Sequence, residues 1–307
     1  MSSSPESLTV QTFDEERGAP QARPVRASLS NWIGTLPFFL FIFLFVLLPS
    51  ISLLIGSFQD ARGNFTLQNV RDLFQPSILD AYWVTIRISF VTALLGGLFG
   101  FLLAYTVTVG GLPRWMRNAL LTFSGVASNF AGVPLAFAFI ATIGRTGMVT
   151  VLLKTVLGID LYGQGFSIYS FWGLTLTYLY FQFPLMVLVI TPALDGLKKE
   201  WRESAESLGA SGFEYWRRVA LPVLLPSILG SMILLFGNAF GAYATALSLT
   251  GGFINLVTIL IGSQIKGDVL HNVGLGYALA LGMVVVMLVT MTGYRALRAR
   301  SEKWLRQ

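Results

Sequence analysis

A cluster of charged residues lies between two long apolar stretches in the second half of the chain. Its nine charged side chains fall between Leu197 and Pro222, and they are Lys198, Lys199, Glu200, Arg202, Glu203, Glu206, Glu214, Arg217 and Arg218. Charges of both signs on a short segment suit contacts with a water-soluble macromolecule, because charged groups are costly inside a bilayer. The segment predicts a docking surface, although an ordinary solvated loop would carry the same charges.

Catalytic chemistry is restricted by the residues that the chain lacks. There is no cysteine and only one histidine, His271, so thiol chemistry and metal sites built from several histidines are excluded. A Ser–His triad would have to depend on His271 alone. Every lysine falls outside the long apolar stretches, so a buried Ser–Lys dyad is not available. An intramembrane enzyme is therefore the least favoured class of function.

The composition predicts an integral membrane protein. The chain has 307 residues, of which 54% are hydrophobic and 12% charged, whereas soluble chains carry about 25% charged residues. A helix needs about 20 mostly apolar residues to cross the hydrocarbon core. Six stretches meet this requirement: Trp32–Phe58, Tyr82–Val109, Leu120–Ile143, Ser167–Leu194, Ala220–Leu247 and Val273–Tyr294. The predicted fold is all-α, with one six-span domain over residues 32–307.

The distribution of lysine and arginine predicts how the chain is oriented. Fifteen of the 21 basic residues lie on the side of the N-terminus, five lie on the opposite side, and Arg87 lies within a span. Because basic loops remain in the cytoplasm, both termini are predicted to be cytoplasmic. Residues 1–31 are polar and are predicted to form a disordered cytoplasmic tail. The same bias explains the net charge of +6 without a nucleic-acid partner.

Residues 195–222 are predicted to form a helical hairpin between spans four and five. An apolar face follows from the 4, 4 and 3 spacing of Leu197, Trp201, Ala205 and Leu208. Phe213 and Trp216 give the second helix an apolar side. The i,i+4 spacing predicts the ion pairs Lys199–Glu203 and Arg202–Glu206 on the polar side of the first helix.

The turn of this hairpin has its own local signals. Gly209 stands where a left-handed C-terminal cap would end the first helix. Ser211 and Glu214 have the spacing of a capping box, which starts the second helix. Pro222 is tolerated near the start of the following span. The sequence thus predicts a helix, a sharp turn and a second helix that leads into the membrane.

The spacing of residues in this hairpin resembles a known motif. Type I ABC importer permeases, the binding-protein-dependent inner-membrane components, carry a cytoplasmic loop written E-A-A-x3-G-x9-I-x-L-P. The matching residues are Glu203, Ala205, Gly209, Leu221 and Pro222, while Ser204 replaces the first alanine and Val219 replaces the isoleucine. The motif follows four spans and precedes two, which agrees with the six-helix members of the family.

The resemblance implies a division of labour between subunits. In that family the loop is a coupling helix that fits a groove on a cytoplasmic ATPase, so Leu208 and its neighbours would contact that partner and Glu203 would orient the hairpin. This chain has no G-x-x-x-x-G-K-[ST] pattern, so ATP and magnesium would bind partner subunits and no cofactor would bind here. The expected partners are two ATPases, a second permease, identical or homologous, and a periplasmic or lipid-anchored solute-binding protein, within a bacterial inner membrane.

Polar residues inside the spans are candidates for the solute pathway, because they are costly in lipid. They are Arg87, Asn129, Tyr178, Gln182 and Asn238. Arg87 fits either a side chain that reaches the outer interface or a gate that contacts anions. The amide side chains fit either interhelical hydrogen bonds or pathway contacts. The aromatic group around Tyr178 fits either helix packing or cation–π binding of an organic cation.

Glycine and proline predict where the spans bend. Gly132 and Pro134 in span three, and Gly237 and Gly241 in span five, would allow bending and close packing. The apolar segment Phe253–Ile265 fits either a short periplasmic helix or an extension of span five.

The substrate is not encoded in the hairpin motif. The resemblance is strongest to permeases of the polyamine, opine, phosphonate and ferric-iron group, and a polyamine is the favoured solute. Phosphonate, ferric iron and sugar-type solutes are alternatives. A self-sufficient secondary transporter is a further alternative, but it would need ionisable coupling groups near the midplane, and no acidic residue lies deep in any span.

Overall fold

The structure is a computed structural model, and it describes residues 29–60, 62–266 and 272–305. The predicted tail up to residue 28 and His271 lie outside the described residues. The chain divides into two compact units, residues 1–50 and residues 51–307. The described part of the first unit is helical, with α1 (Leu29–Ile42), a π-turn (Phe43–Leu47) and the start of α2 (Leu48–Gly56).

The second unit is helical as well, and its described residues form no strand beyond a single bridge between Gln59 and Phe65. After α2 its helices are α3 (Gln68–Asp72), α4 (Pro76–Thr108), α5 (Arg114–Asn129), α6 (Val133–Ile143), α7 (Met148–Val156), α8 (Phe171–Asp195), α9 (Lys199–Ser207), α10 (Gly212–Tyr215), α11 (Leu221–Phe240), α12 (Ala244–Thr250), α13 (Val257–Lys266) and α14 (Val273–Leu305).

Six helical segments of the described residues are long and apolar enough to cross a membrane, which confirms the predicted number. They are Gly34–Gly56, Pro76–Thr108, Val133–Val156, Phe171–Asp195, Gly212–Phe240 and Val273–Ala299. The third of them combines α6 and α7 and begins later than the span predicted at Leu120–Ile143. The physical reason is that α5 has only 16 residues before the break and carries a polar face, although it packs along α8.

Two predicted spans are wrong as continuous helices. Residues 120–143 are interrupted at 130–132, where Gly132 has φ +75° and separates α5 from α6. Residues 220–247 are interrupted at 241–243, between α11 and α12. The segment predicted at Phe253–Ile265 contains a separate helix, α13, which is not an extension of span five.

The core of the second unit is built around α8. This helix packs against α4, α5 and α11, and it is the most buried of the six spans. Gly96 and Gly100 of α4 let the backbones approach closely, because a Cβ atom on Gly100 would lie 2.6 Å from Cβ of Met186. One apolar cluster surrounds Tyr178 and Leu249, and a second surrounds Met186 and Leu224. The helix ends and breaks are thereby fixed relative to α8.

Candidate functional site

The turn between α9 and α10 has the predicted caps. Gly209 has φ +81°, and the N–H of Ala210 donates to the carbonyl of Ala205 at 3.0 Å, as in a Schellman ending. The N–H of Glu214 donates to Ser211 Oγ at 3.3 Å, and the N–H of Ser211 donates to Glu214 Oε2 at 3.0 Å. These reciprocal bonds form the capping box and confirm the local prediction.

The second helix of the hairpin continues into the fifth span without a gap. Residues Trp216–Ala220 form a π-turn between α10 and α11, and the N–H of Leu221 bonds to the carbonyl of Trp216. Pro222 has no N–H, and its ring would crowd the carbonyl four residues earlier in a regular helix. The wider π-turn accommodates this proline, so Gly212–Phe240 forms one long element.

The tip of the hairpin carries two exposed apolar side chains. Leu208 is 88% exposed and Phe213 is 74% exposed, and they flank the glycine turn. Leu197, which was predicted on the same apolar face as Leu208, packs instead against the second core cluster. The outward apolar surface is therefore the pair Leu208 and Phe213, which we call the hairpin tip.

The charged side of the hairpin has one of its two predicted ion pairs. Arg202 Nε lies 2.8 Å from Glu206 Oε1, and the hydrogen bond from Arg202 to this carboxylate raises the pKa of Arg202. The predicted pair Lys199–Glu203 is wrong, since it is absent from the ion pairs of the described residues. These side chains are exposed, and pairing in water gains too little to hold two long side chains in place.

The base of the hairpin is braced by contacts to three helix ends. Trp216 meets Tyr105 of α4 edge to face, with ring centroids 4.9 Å apart. Arg117 of α5 donates to Asp195, the last residue of α8, over 2.5 Å. A groove of about 570 Å³ lies between these helix ends and the hairpin, and Glu203 and Glu206 contribute to its wall. Displacement of the hairpin would therefore act directly on α4, α5 and α8.

A second cavity lies where the break between α5 and α6 meets the break between α11 and α12. The N–H of Gly132 donates to Thr245 Oγ1 at 2.7 Å, which joins the first break to the start of α12. Tyr178 Oη donates to the carbonyl of Ala242 at 2.9 Å, which joins the second break to α8. The resulting helix-break cavity has a volume of about 390 Å³, and its wall includes Ser128, Gly132, Phe181, Asn238, Tyr243 and Thr245.

The depth of the helix-break cavity can be measured from the hairpin. Phe181 precedes the end of α8 by 14 residues, and Asn238 follows the start of α11 by 17 residues. At 1.5 Å per residue these distances are about 21 and 26 Å. The hydrocarbon core of a bilayer is about 30 Å thick. With the hairpin at one interface, the cavity would lie within the hydrocarbon core, beyond its midplane.

One side of α5 leads from the hairpin towards this cavity. Asn118, Thr122, Gly125 and Asn129 follow one another at spacings of 4, 3 and 4, and the first, second and fourth are exposed. We call this row the α5 polar stripe. An uncharged polar row on a membrane helix suits a water-filled path better than lipid.

The exposed side of α4 has the opposite character. Five of its large exposed residues, Leu79, Trp83, Phe90, Leu94 and Leu98, recur at helical spacing. We call this row the α4 apolar stripe, and Arg87 lies on it at the same spacing. No residue of α4 contributes to the wall of the helix-break cavity.

The structure places the predicted pathway residues in three different environments. Asn129 and Asn238 are exposed beside the breaks, and Asn238 lines the cavity. Tyr178 and Gln182 are buried, and Gln182 Nε2 donates to the carbonyl of Leu235 at 2.9 Å. The buried pair holds α8 to α11 and to the break that follows α11, and it presents no surface to a solute. Arg87 lies on the α4 apolar stripe.

Other residues at the cavity were not predicted. Tyr243 and Thr245 lie within or just after the second break, and Ser128 lies just before the first. The glycines at 132 and 241 signalled bending, but a bend alone does not indicate which polar groups surround it.

The fold and these two sites define a helical membrane protein with a braced surface hairpin and an intramembrane cavity at two helix breaks. The family model described as "Binding-protein-dependent transport system inner membrane component" matches residues 96–303. The match covers more than half of the chain, so the chain belongs to this family. It is the permease component of an ABC importer, a multi-pass transport subunit rather than an ATPase.

The curated relatives are named for different solutes. A probable sulfate transport system permease protein from Helicosporidium sp. subsp. Simulium jonesii is 26% identical over 232 residues, which cover 75% of this chain and 80% of the relative. A spermidine/putrescine transport system permease protein from Haemophilus influenzae is 26% identical over 287 residues, which cover 86% of this chain and 93% of the relative.

Solved structures show the same fold. A bacterial ABC transporter involved in the import of the acidic polysaccharide alginate aligns with a TM-score of 0.71 at 17% identity, over 89% of this chain and 96% of the matched chain. The bacterial alginate transporter in complex with an alginate pentasaccharide-bound periplasmic protein aligns with a TM-score of 0.68 at 16% identity, over 89% and 94% of the two chains.

Proposed function

We propose that this permease uses the hairpin of residues 195–222 to receive the movement of a cytoplasmic ATPase. The supporting observation is the combination of an exposed apolar tip with a braced base. Leu208 and Phe213 project from the hairpin, while Trp216 contacts α4 and Asp195 pairs with α5. A short rigid element with contacts at both ends can transmit a displacement, whereas a solvated loop would absorb it.

The α5 polar stripe and the helix-break cavity form this subunit's half of the solute path. The stripe begins beside the hairpin, where Arg117 pairs with Asp195, and ends at Asn129 next to the first break. A six-span subunit supplies one wall, so a second permease, identical or homologous, closes the path by two-fold or pseudo-two-fold symmetry.

The complete importer contains further subunits. Two ATPases bind ATP and magnesium and dock on the hairpins of the permease pair. A periplasmic or lipid-anchored binding protein delivers the solute from the opposite side. The complex resides in a bacterial inner membrane, with both termini of this chain in the cytoplasm, as the basic loops favour.

The favoured solute is a polyamine. The side chains in the wall of the helix-break cavity are uncharged, and Phe181 and Tyr243 offer aromatic faces that attract ammonium groups. A doubly charged oxyanion would gain more from a cationic lining. Sulfate is the second candidate, because a sulfate permease is among the relatives and the cavity wall offers hydrogen-bond donors.

The substrate proposal is tested with the reconstituted complex. The permeases, the ATPase and the binding protein encoded alongside this chain are assembled in lipid vesicles. The binding protein is loaded in turn with spermidine, putrescine, sulfate or a phosphonate, and ATP hydrolysis is measured. Stimulation by the polyamine-loaded protein alone supports the favoured solute. Stimulation by the sulfate-loaded protein alone replaces it with the second candidate.

The docking proposal has its own test with a matched control. Leu208→Ser removes an apolar side chain from the tip, and Phe253→Ser changes a residue that is 89% exposed in the loop after α12. We expect Leu208→Ser to weaken ATPase co-purification about tenfold, the effect of losing one well-buried apolar contact. Phe253→Ser should leave it unchanged. Equal ATPase recovery with both variants would contradict docking at the tip.

A further inference from the structure

Arg87 is a charged residue on a surface that is otherwise apolar. It belongs to the α4 apolar stripe, between Trp83 and Phe90, and its side chain is exposed. Such a row of large apolar side chains on a membrane helix is typical of a lipid-facing surface. Because the stripe does not reach the helix-break cavity, Arg87 is separated from the proposed solute path.

The depth of Arg87 corresponds to the far edge of the bilayer. It precedes the end of α4 at Thr108 by 21 residues, and Thr108 lines the groove beside the hairpin. The rise along the helix is about 32 Å, close to the ~30 Å thickness of the hydrocarbon core. With the hairpin at one interface, the guanidinium of Arg87 lies at the level of the headgroups in the opposite leaflet.

The guanidinium has aromatic neighbours but no carboxylate partner among the described residues. Its Cζ atom lies 5.4 Å from the ring centroid of Phe171 and 6.0 Å from that of Trp83. The ion pairs of the described residues do not include Arg87. The nearest acid on α4 is Asp80, seven residues or about 10 Å away along the axis. Aromatic faces orient a guanidinium, but they do not accept hydrogen bonds from the N–H donors that lie in the guanidinium plane.

We propose that Arg87 binds the phosphate group of an anionic phospholipid in the leaflet opposite the hairpin. A guanidinium forms paired hydrogen bonds with two phosphate oxygens, which an aromatic neighbour cannot offer. The acyl chains of the same lipid would lie along Phe90, Leu94 and Leu98, which continue the stripe towards the midplane. Trp83 and the exposed Trp172 flank the site at the level where tryptophan is enriched in membrane proteins.

The experiment compares lipid retention by four forms of the intact complex. The wild type, Arg87→Gln, Arg87→Lys and the control Arg71→Gln are purified with their partner subunits and delipidated to the same extent. Arg71 is an exposed arginine of α3, so its replacement removes the same charge from the same part of the chain. Phosphatidylglycerol or phosphatidylcholine is then added, and bound lipids are counted by native mass spectrometry.

We expect the wild type and Arg71→Gln to bind one phosphatidylglycerol per permease in preference to phosphatidylcholine. Arg87→Gln should weaken that binding about fivefold, the effect of one basic residue at an anionic surface. Arg87→Lys should be intermediate, because it keeps the charge and loses the paired donors. Unchanged phosphatidylglycerol binding by Arg87→Gln would overturn the proposal. The proposal would also be overturned if the Arg87→Gln complex lost the second permease while its lipid binding stayed intact. That result would assign the α4 apolar stripe to a subunit interface.

Discussion

Gly100 shows how a single residue sets the spacing of the two best-packed helices. A Cβ atom there would lie 2.6 Å from Cβ of Met186 and 2.9 Å from the carbonyl oxygen of Phe183. The backbone of α8 cannot retreat easily, because α5 and α11 also pack against it. Small residues at such crossings replace the hydrophobic driving force that lipid does not provide.

We therefore expect Gly100→Ala to destabilise the protein. Overpacking of this kind costs about 1–3 kcal/mol, and the unfolding temperature of the detergent-solubilised protein should fall by several degrees. Gly125→Ala is the matched control, because a Cβ atom at this helical glycine meets nothing within 4 Å. Its unfolding temperature should be unchanged or slightly higher, since alanine favours a helix. Equal losses in both variants would exclude close packing as the cause.

At the scale of elements, the sequence predicts the hairpin better than the helix breaks. Gly209, Ser211 and Glu214 act within a few residues of one another, so their pattern is visible in the chain itself. The break at Gly132 depends on Thr245, which is 113 residues away. Thr245 Oγ1 accepts the hydrogen bond that the N–H of Gly132 donates. A hydropathy pattern averages over such a break and predicts one continuous span.

The pair Arg117–Asp195 connects two elements that the proposed mechanism must move together. Asp195 ends α8 where the hairpin begins, and Arg117 belongs to α5, which carries the polar stripe. We expect Arg117→Asp and Asp195→Arg, made separately, each to lower binding-protein-stimulated ATP hydrolysis about fivefold. The reason is that a half-exposed ion pair contributes up to ~1 kcal/mol, which corresponds to about that factor. The basal rate should remain unchanged.

The doubly exchanged variant, with Asp at position 117 and Arg at position 195, restores opposite charges across the same gap. We expect it to recover most of the stimulated rate, and equal ATPase content in every purified complex serves as the control. If the exchange gives no recovery although both single variants are impaired, the residues act independently, and the connection between α5 and the hairpin must lie elsewhere.

At the scale of the whole molecule, the absence of cysteine makes the proposed path directly testable. Single cysteines replace Asn118, Thr122 or Asn129 in the polar stripe, while Phe123→Cys and Val126→Cys change exposed apolar residues of the same helix. A charged, membrane-impermeant thiol reagent is then applied to the reconstituted complex. Because thiolates form in water and not in lipid, the stripe positions should react about tenfold faster than the two controls.

This labelling pattern separates the path from the docking proposal. Equal rates at the polar and apolar positions would place the α5 polar stripe outside the path, even if the hairpin tip still binds the ATPase. Faster reaction at Phe123→Cys and Val126→Cys would reverse the assignment of the two sides of α5.

The continuity of Gly212–Phe240 has a mechanical consequence. Trp216, held against Tyr105, can serve as a fulcrum for this long helix. Phe213 lies three residues to one side, about 5 Å, and Asn238 lies 22 residues to the other, about 33 Å. If the helix turns as one rod, a push of 1 Å at the short arm swings the long arm by about 7 Å, which is larger than a water molecule. The permease would then work as a lever that converts a small movement at its ATPase into the opening of a passage.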